Sequence, residues 1–191
     1  MFSSISPAVQ ALIITSLTGG AYLLAYRLNE YFDSWALFAQ GITLIFLPAG
    51  IKHLSILLGG KWGALGCFLA LFALAHEFWA GQPYDRLALY SLISTASTWG
   101  AIVFSLWVLG ISASLKELRF YHLPMIDLIT TAVHGFATNT YFIMSGMKSD
   151  HLIENALAMM FGDFAGSFIL LTLLWIGLSI FKKNSRDISS D

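Results

Sequence analysis

Charge is scarce in this chain. Asp, Glu, Lys and Arg make up 11% of its 191 residues, where a soluble domain of this size carries about 25%. A water-facing surface cannot be built from so few charges, which excludes a soluble enzyme and a disordered tail. Cysteine is nearly absent too: Cys67 is the single one, so neither an intrachain disulfide nor a cysteine zinc cluster can form. With a net charge of −1 there is no basic face for nucleic acid. The catalytic signatures GxGxxG, Walker loop, GxSxG and HExxH are all missing, and no nucleophile is paired with a base. The sequence gives no reason to expect an enzyme. Asn139 is followed by Thr140 and Tyr141, so it is not a glycosylation acceptor.

What the chain does have is apolar length. Hydrophobic residues make up 57% of it, and the mean hydropathy is +0.73. A helix needs about 20 apolar residues to cross roughly 30 Å of hydrocarbon. Six segments meet that length: 8–26, 34–58, 62–80, 87–111, 125–146 and about 155–181. None alternates as barrel strands do, and lipid tolerates no open sheet edge, so helices are the expected form. The expectation is an all-α membrane protein with one membrane domain over residues 1–181. A short polar, irregular cytoplasmic tail is expected over 182–191.

Orientation follows from Lys and Arg. With the N-terminus inside, Lys52, Lys61, Lys116, Arg119, Lys182, Lys183 and Arg186 fall on the cytoplasmic side, against Arg27, Arg86 and Lys148 outside. Both termini are therefore expected in the cytoplasm, in a bacterial inner membrane. The first basic residue is Arg27, so the first segment reads as a permanent span and not a signal peptide. Trp35, Trp62, Trp79, Trp107 and Trp175 lie near segment ends, where indole prefers the interface.

Four places hold groups that lipid does not welcome. An ionisable side chain at the bilayer centre costs about 2.5–3.5 kcal/mol on insertion scales. The first place is Pro48-Ala49-Gly50-Ile51-Lys52-His53. Pro48 is expected to kink or unwind the second segment. Lys52 and His53 then either belong to a ligand or counter-ion site, or Lys52 snorkels to the interface. The second place is Gly162-Asp163-Phe164-Ala165-Gly166, which sets an acid near mid-bilayer inside a small-xxx-small pair. Lys52 or His134 is its expected partner. Gly59 and Gly63 form a comparable pair. Both pairs are expected to let a neighbouring helix approach.

The third place is a stripe of Asp127, Thr131, His134, Thr138 and Tyr141, whose spacings of 4, 3, 4 and 3 keep one helical face. Ser91, Ser94 or Thr95, and Thr98 form a milder counterpart one segment earlier. These two faces either hydrogen-bond across helices or line a polar cavity. The fourth place is His76-Glu77 with Glu154, near outer segment ends, which reads as interface. No histidine spacing supports a haem, and no metal or cofactor is expected.

Two of these places together resemble a family. Leu47-Pro48-Ala49-Gly50-Ile51-Lys52-His53, followed by Gly59-Gly60-Lys61-Trp62-Gly63-Ala64-Leu65-Gly66, is similar to the proline-glycine segment of membrane-associated sensor domains of the first class. Those are integral membrane inputs of bacterial histidine kinases and diguanylate cyclases, the hexose-phosphate sensor kinase among them. Phe161-Gly162-Asp163-Phe164-Ala165-Gly166 resembles the family's acidic small-residue motif in a late helix. The resemblance implies a sensor-like or accessory unit standing alone, without the usual kinase or cyclase. Such a unit would bind a small ligand in a pocket between the second, fifth and sixth segments and signal to a separate membrane protein. Two alternatives stand beside it. One is a transport component, either a vitamin-type capture subunit or a small proton-linked carrier. The other is a structural subunit packed into a larger complex through its glycine pairs.

Overall fold

The computed structural model describes residues 6–147 and 151–188. They form five helices and one small hairpin. Helix α1 is Pro7–Ala36, α2 Leu47–Phe78, α3 Tyr84–Val108, α4 His122–Met144 and α5 Leu152–Ile188; the hairpin pairs β1 Leu37–Ala39 with β2 Ile42–Thr43. Four helices are long and apolar enough to cross a membrane: α1, α2, α3 and α5 over Leu152–Gly177. Helix α4 is not among them, because Asp127, Thr130, Thr131, His134, Thr138 and Asn139 occupy its buried face.

The apolar surface lies outside and much of the polarity lies inside. Leu12, Leu17 and Leu24 of α1 are 66%, 68% and 63% exposed, while Asn29, Lys52, Thr98, Thr130 and Asp163 are buried. In water such an exterior would be an aggregation surface; in a bilayer it is the lipid-facing belt.

Helix α1 starts at a serine cap, with Ser6 accepting from the Val9 amide at 3.4 Å and Pro7 in the first turn. It ends where the chain turns into the hairpin, whose tip carries Gly41 at φ +72. This corrects the second expected segment. Residues 34–58 are not one span: the end of α1, the hairpin and the start of α2 share them. Apolar content was read as length there, although Leu37–Thr43 is extended and not helical.

Pro48 does not kink a helix either. It occupies the first turn of α2, where its missing N–H is no loss. The break falls at Gly60, with φ 56 and ψ −135, a conformation essentially reserved for glycine. The chain folds back on itself there. The Gly63 Cα faces the Ser55 carbonyl, and the Cys67 thiol lies near the Ser55 side chain. In a straight helix residues eight apart stand about 12 Å from one another. The limb before Gly60 is thus a short helix of roughly 20 Å, and the limb after it runs beside α1. Thr15 donates to the Trp62 carbonyl at 3.2 Å, Tyr26 meets Phe78 edge-on at 4.7 Å, and Arg27 pairs with Glu77 at 2.8 Å. Of the glycines expected to admit a neighbouring helix, Gly59 meets Ile14 of α1, whereas Gly63 serves the fold-back. Gly66 lies against the α1 backbone at Thr15 and Gly19.

Three clusters fill the interior. Ile42, Ala75, Trp79, Leu87 and Phe142 pack at the hairpin end. Tyr22, Tyr26, Cys67, Leu71 and Leu74 join α1 to α2. Ile56, Ala64, Ile102, Ile111 and Ile126 close the opposite end. Helix α5 continues to Ile188, so the polar residues 182–188 prolong a helix instead of forming an irregular tail. Lys148, part of the expected break before α5, lies outside the described residues.

Candidate functional site

The segments around Pro48–His53 and Gly162–Gly166 touch each other. Gly162 and Gly166 of α5 do not receive a helix, as expected. They receive the non-helical backbone that leads into α2, with the Thr43 carbonyl over Gly162 and the Phe46 carbonyl over Gly166. The Phe46 amide donates to the Gly162 carbonyl at 3.0 Å. One turn on, Gly50 lies against Ser167 and Leu170. The start of α2 is also held from α1: Asn29 accepts the Leu47 amide at 2.8 Å and donates to Asp33 at 3.0 Å. These contacts fix where α2 begins, and so aim Lys52 and His53.

Lys52 is buried, at 1% exposure, and does not reach the interface. Its Nζ lies 3.1 Å from His134 Nε2 and 3.3 Å from Ser94 Oγ. Ser94 Oγ is in turn 2.8 Å from His134 Nε2. On the other side of the imidazole, His134 Nδ1 meets Asp163 Oδ2 at 2.7 Å. With Nδ1–H donating to the carboxylate, Nε2 is left as an acceptor for a single donor, Lys52 or Ser94. Lysine, serine, imidazole and carboxylate thus form one connected polar group drawn from α2, α3, α4 and α5.

His53, the next residue, points elsewhere. It makes a short hydrogen bond through Nδ1 to Asp127 of α4, with Ser167 Oγ 3.4 Å from the same nitrogen. His53 Nε2 has no protein partner among the described residues. A pocket of about 20 Å³ adjoins this pair, lined by Leu54, Leu57, Leu123 and Leu171 among others, with room for a single water.

The hydroxyl stripes are buried, as Thr131, Thr138 and Ser91 show. Some satisfy themselves on their own helices: Ser91 donates to the Leu87 carbonyl, Thr98 to Ser94 and Thr131 to Leu128, at 2.8–3.1 Å, while the Thr95 and Thr138 hydroxyls have no partner among the described residues. Ser94 crosses from α3 to His134 of α4. Tyr141 at the end of the stripe donates to the Arg86 carbonyl at 2.8 Å and ties α4 to α3. His76 stacks on Tyr84, Glu77 pairs with Arg27, and Glu154 pairs with His151, all away from the Lys52 cluster.

Lys52, Ser94, His134 and Asp163 line one side of a cavity of about 200 Å³. Aromatic side chains make up much of the rest: Tyr22, Tyr26, Phe46, Phe78, Trp79 and Tyr90. Asp33, Leu37 and Gly41 place one end of the cavity at the hairpin. Sequence reasoning missed these walls. Trp79 was expected at the membrane interface, but it is 4% exposed and packs on Phe142 with ring centres 5.0 Å apart. The signal for Asn29 was present, since Asn29 and Asp33 are four residues apart on one helix face.

A scan against protein-family models matches none of them, and searches of curated proteins and of solved structures return no match.

Proposed function

We propose that this protein is a sensor-like or accessory component of the bacterial inner membrane that binds a small ligand in the aromatic-walled cavity above Lys52. One observation carries the reading: a buried lysine lines a cavity and has no carboxylate among the described residues within ion-pair distance. A charge in a membrane interior is retained where it serves a ligand or ion path. The likeness of the Pro48–His53 and Gly162–Gly166 segments to sensor-domain motifs adds to this, because those two segments build one side of the site.

In this reading the chain makes six passes, and the limb before Gly60, at roughly 20 Å, reaches across the bilayer only together with the hairpin that precedes it. With Lys52 set aside as an interior residue, Lys61, Lys116, Arg119, Lys182, Lys183 and Arg186 still outnumber Arg27, Arg86 and Lys148. Both termini then face the cytoplasm, and the hairpin end of the cavity faces outward. Occupancy would reposition the hairpin and the start of α2 against α5, and a separate membrane protein would read that change.

A transport role is the second reading. It draws on the pocket beside His53 and Asp127, which lies on the other side of the Lys52–His53 step from the main cavity.

The test is access. In a Cys67→Ala background, Ser94→Cys should react with a small polar thiol reagent added outside intact cells. Tyr31→Cys, at a position 80% exposed, serves as the positive control. A Ser94→Cys that stays unmodified while the control is labelled would defeat the reading.

A further inference from the structure

The charges around the cavity restrict what it holds. An ammonium has three donors. Lys52 directs two of its contacts to Ser94 and His134, both uncharged in the arrangement above. No carboxylate among the described residues comes within ion-pair distance of it. Asp163, the nearest acid of the cluster, is taken up by His134 Nδ1 at 2.7 Å. As an ammonium, Lys52 therefore keeps at least one donor for a ligand in the cavity, and a carboxylate satisfies it best, because charge-assisted hydrogen bonds are roughly twice as strong as neutral ones.

We propose, building on the reading of the cavity as a ligand site, that its ligand is a small monocarboxylate with a ring-sized apolar body, the carboxylate seated on Lys52 and Ser94. Size sets the body. A cavity of about 150 Å³ takes a benzene, so 200 Å³ holds one ring with a short acidic arm and little more. The walls set its character: Phe46, Phe78, Trp79 and Tyr90 offer faces and edges to an apolar or aromatic group. Charge sets the count of acidic groups. Among the described residues Lys52 is the sole lysine or arginine lining the cavity, while Asp33 and Asp163 line it as well. A second anionic group would meet Asp33 at the hairpin end, and a phosphate would lack the arginine fork that favours it.

The experiment uses the full chain in lipid nanodiscs at pH 7 and titrating calorimetry with four probes of one ring each: benzoate, benzyl alcohol, benzylamine and terephthalate. Benzoate is expected to bind at least tenfold more tightly than the other three. Lys52→Met is expected to cost benzoate at least tenfold and to leave benzyl alcohol unchanged. Benzyl alcohol, benzylamine or terephthalate binding as well as benzoate overturns the monocarboxylate assignment and leaves the cavity as a ligand site. No binding by any probe overturns both. The ranking on the unaltered protein decides the matter even where Lys52→Met fails to fold.

Discussion

The main-chain amide of Phe46 donates to the carbonyl of Gly162 at 3.0 Å, across 116 positions of sequence. The bond joins a loop that is not helical to a glycine that cannot be anything else. A Cβ at position 162 would meet the Thr43 carbonyl, which is backbone and cannot rotate away. Gly162→Ala is therefore expected to lower stability by about 1–3 kcal/mol, the cost of overpacking. Gly100→Ala, where nothing lies within 4 Å, is expected to be neutral or to stabilise by up to about 1 kcal/mol. Unfolding midpoints of the two variants in the same detergent check the contrast. Equal midpoints would show that the loop does not seat on α5.

The Lys52–His134–Asp163 group makes a different prediction, about coupling. Removing one member of a buried charged network leaves the rest unpaired, at about 3–5 kcal/mol. Asp163→Asn alone is expected to fall in that range, since it replaces the charged acceptor of His134 Nδ1 with a neutral amide oxygen and leaves Lys52 buried without the one nearby negative charge of the group. Lys52→Met with Asp163→Asn removes both formal charges together. The double variant is expected to cost less than the sum of the singles, a coupling of about 0.5–3 kcal/mol. A strictly additive cycle, measured by denaturant unfolding, would mean that the imidazole between them does not connect the two charges.

Some of this site could be read from spacing alone. Asp127, Thr131, His134 and Thr138 fall on one face in any helix, so their common burial needed only the 3.6-residue period. The pairing of Asp163 with His134 rather than Lys52 depends on the rotation of α5, which the packing at Gly135 and Ala156 sets. Leu37–Thr43 was illegible because hydropathy measures apolar content and not backbone form. Pro48 was ambiguous for another reason. Proline breaks a helix from inside and begins one from the first turn, and which applies here depends on Asn29 capturing the Leu47 amide 18 residues away. Trp79 fits an interface or a core equally well by sequence, and the hairpin that covers it decides.

Outside the membrane helices, Glu117 holds the loop between α3 and α4. It accepts from the Ser112 hydroxyl at 2.6 Å and from the Ser112 amide at 3.0 Å. These bonds stabilise the carboxylate and hold its pKa below the ordinary value. A pKa lower in the folded state means the clasp contributes fully above the ordinary glutamate value, near 4.3. Its contribution fades as pH falls through the lowered value. A carboxyl NMR titration of Glu117 should give a midpoint below 4.3. Exchange of the Ser112 amide should accelerate over the same interval. A midpoint at or above the ordinary value would mean that the clasp does not form.

The fold-back at Gly60 admits a covalent test. The Cys67 thiol lies near the Ser55 side chain, and Gly63 lies against the Ser55 carbonyl, although Ser55 and Cys67 are twelve apart and would stand about 18 Å from each other in a straight helix. A disulfide needs Cα atoms within about 7 Å. Ser55→Cys is therefore expected to form an intrachain disulfide with the native Cys67 under mild oxidation, detected as a linked peptide pair by mass spectrometry. Trp62→Cys, on the limb after the turn and 37% exposed, is expected to form none with Cys67. Gly60→Ala bears on the same turn, because an alanine at φ 56 and ψ −135 is strained by about 1–3 kcal/mol. It should lower the unfolding midpoint and slow the Ser55→Cys bridge together. A bridge that fails to form in an otherwise folded protein would mean that Leu47–Phe78 is one unbroken helix, and Lys52 would then lose its place at the cavity.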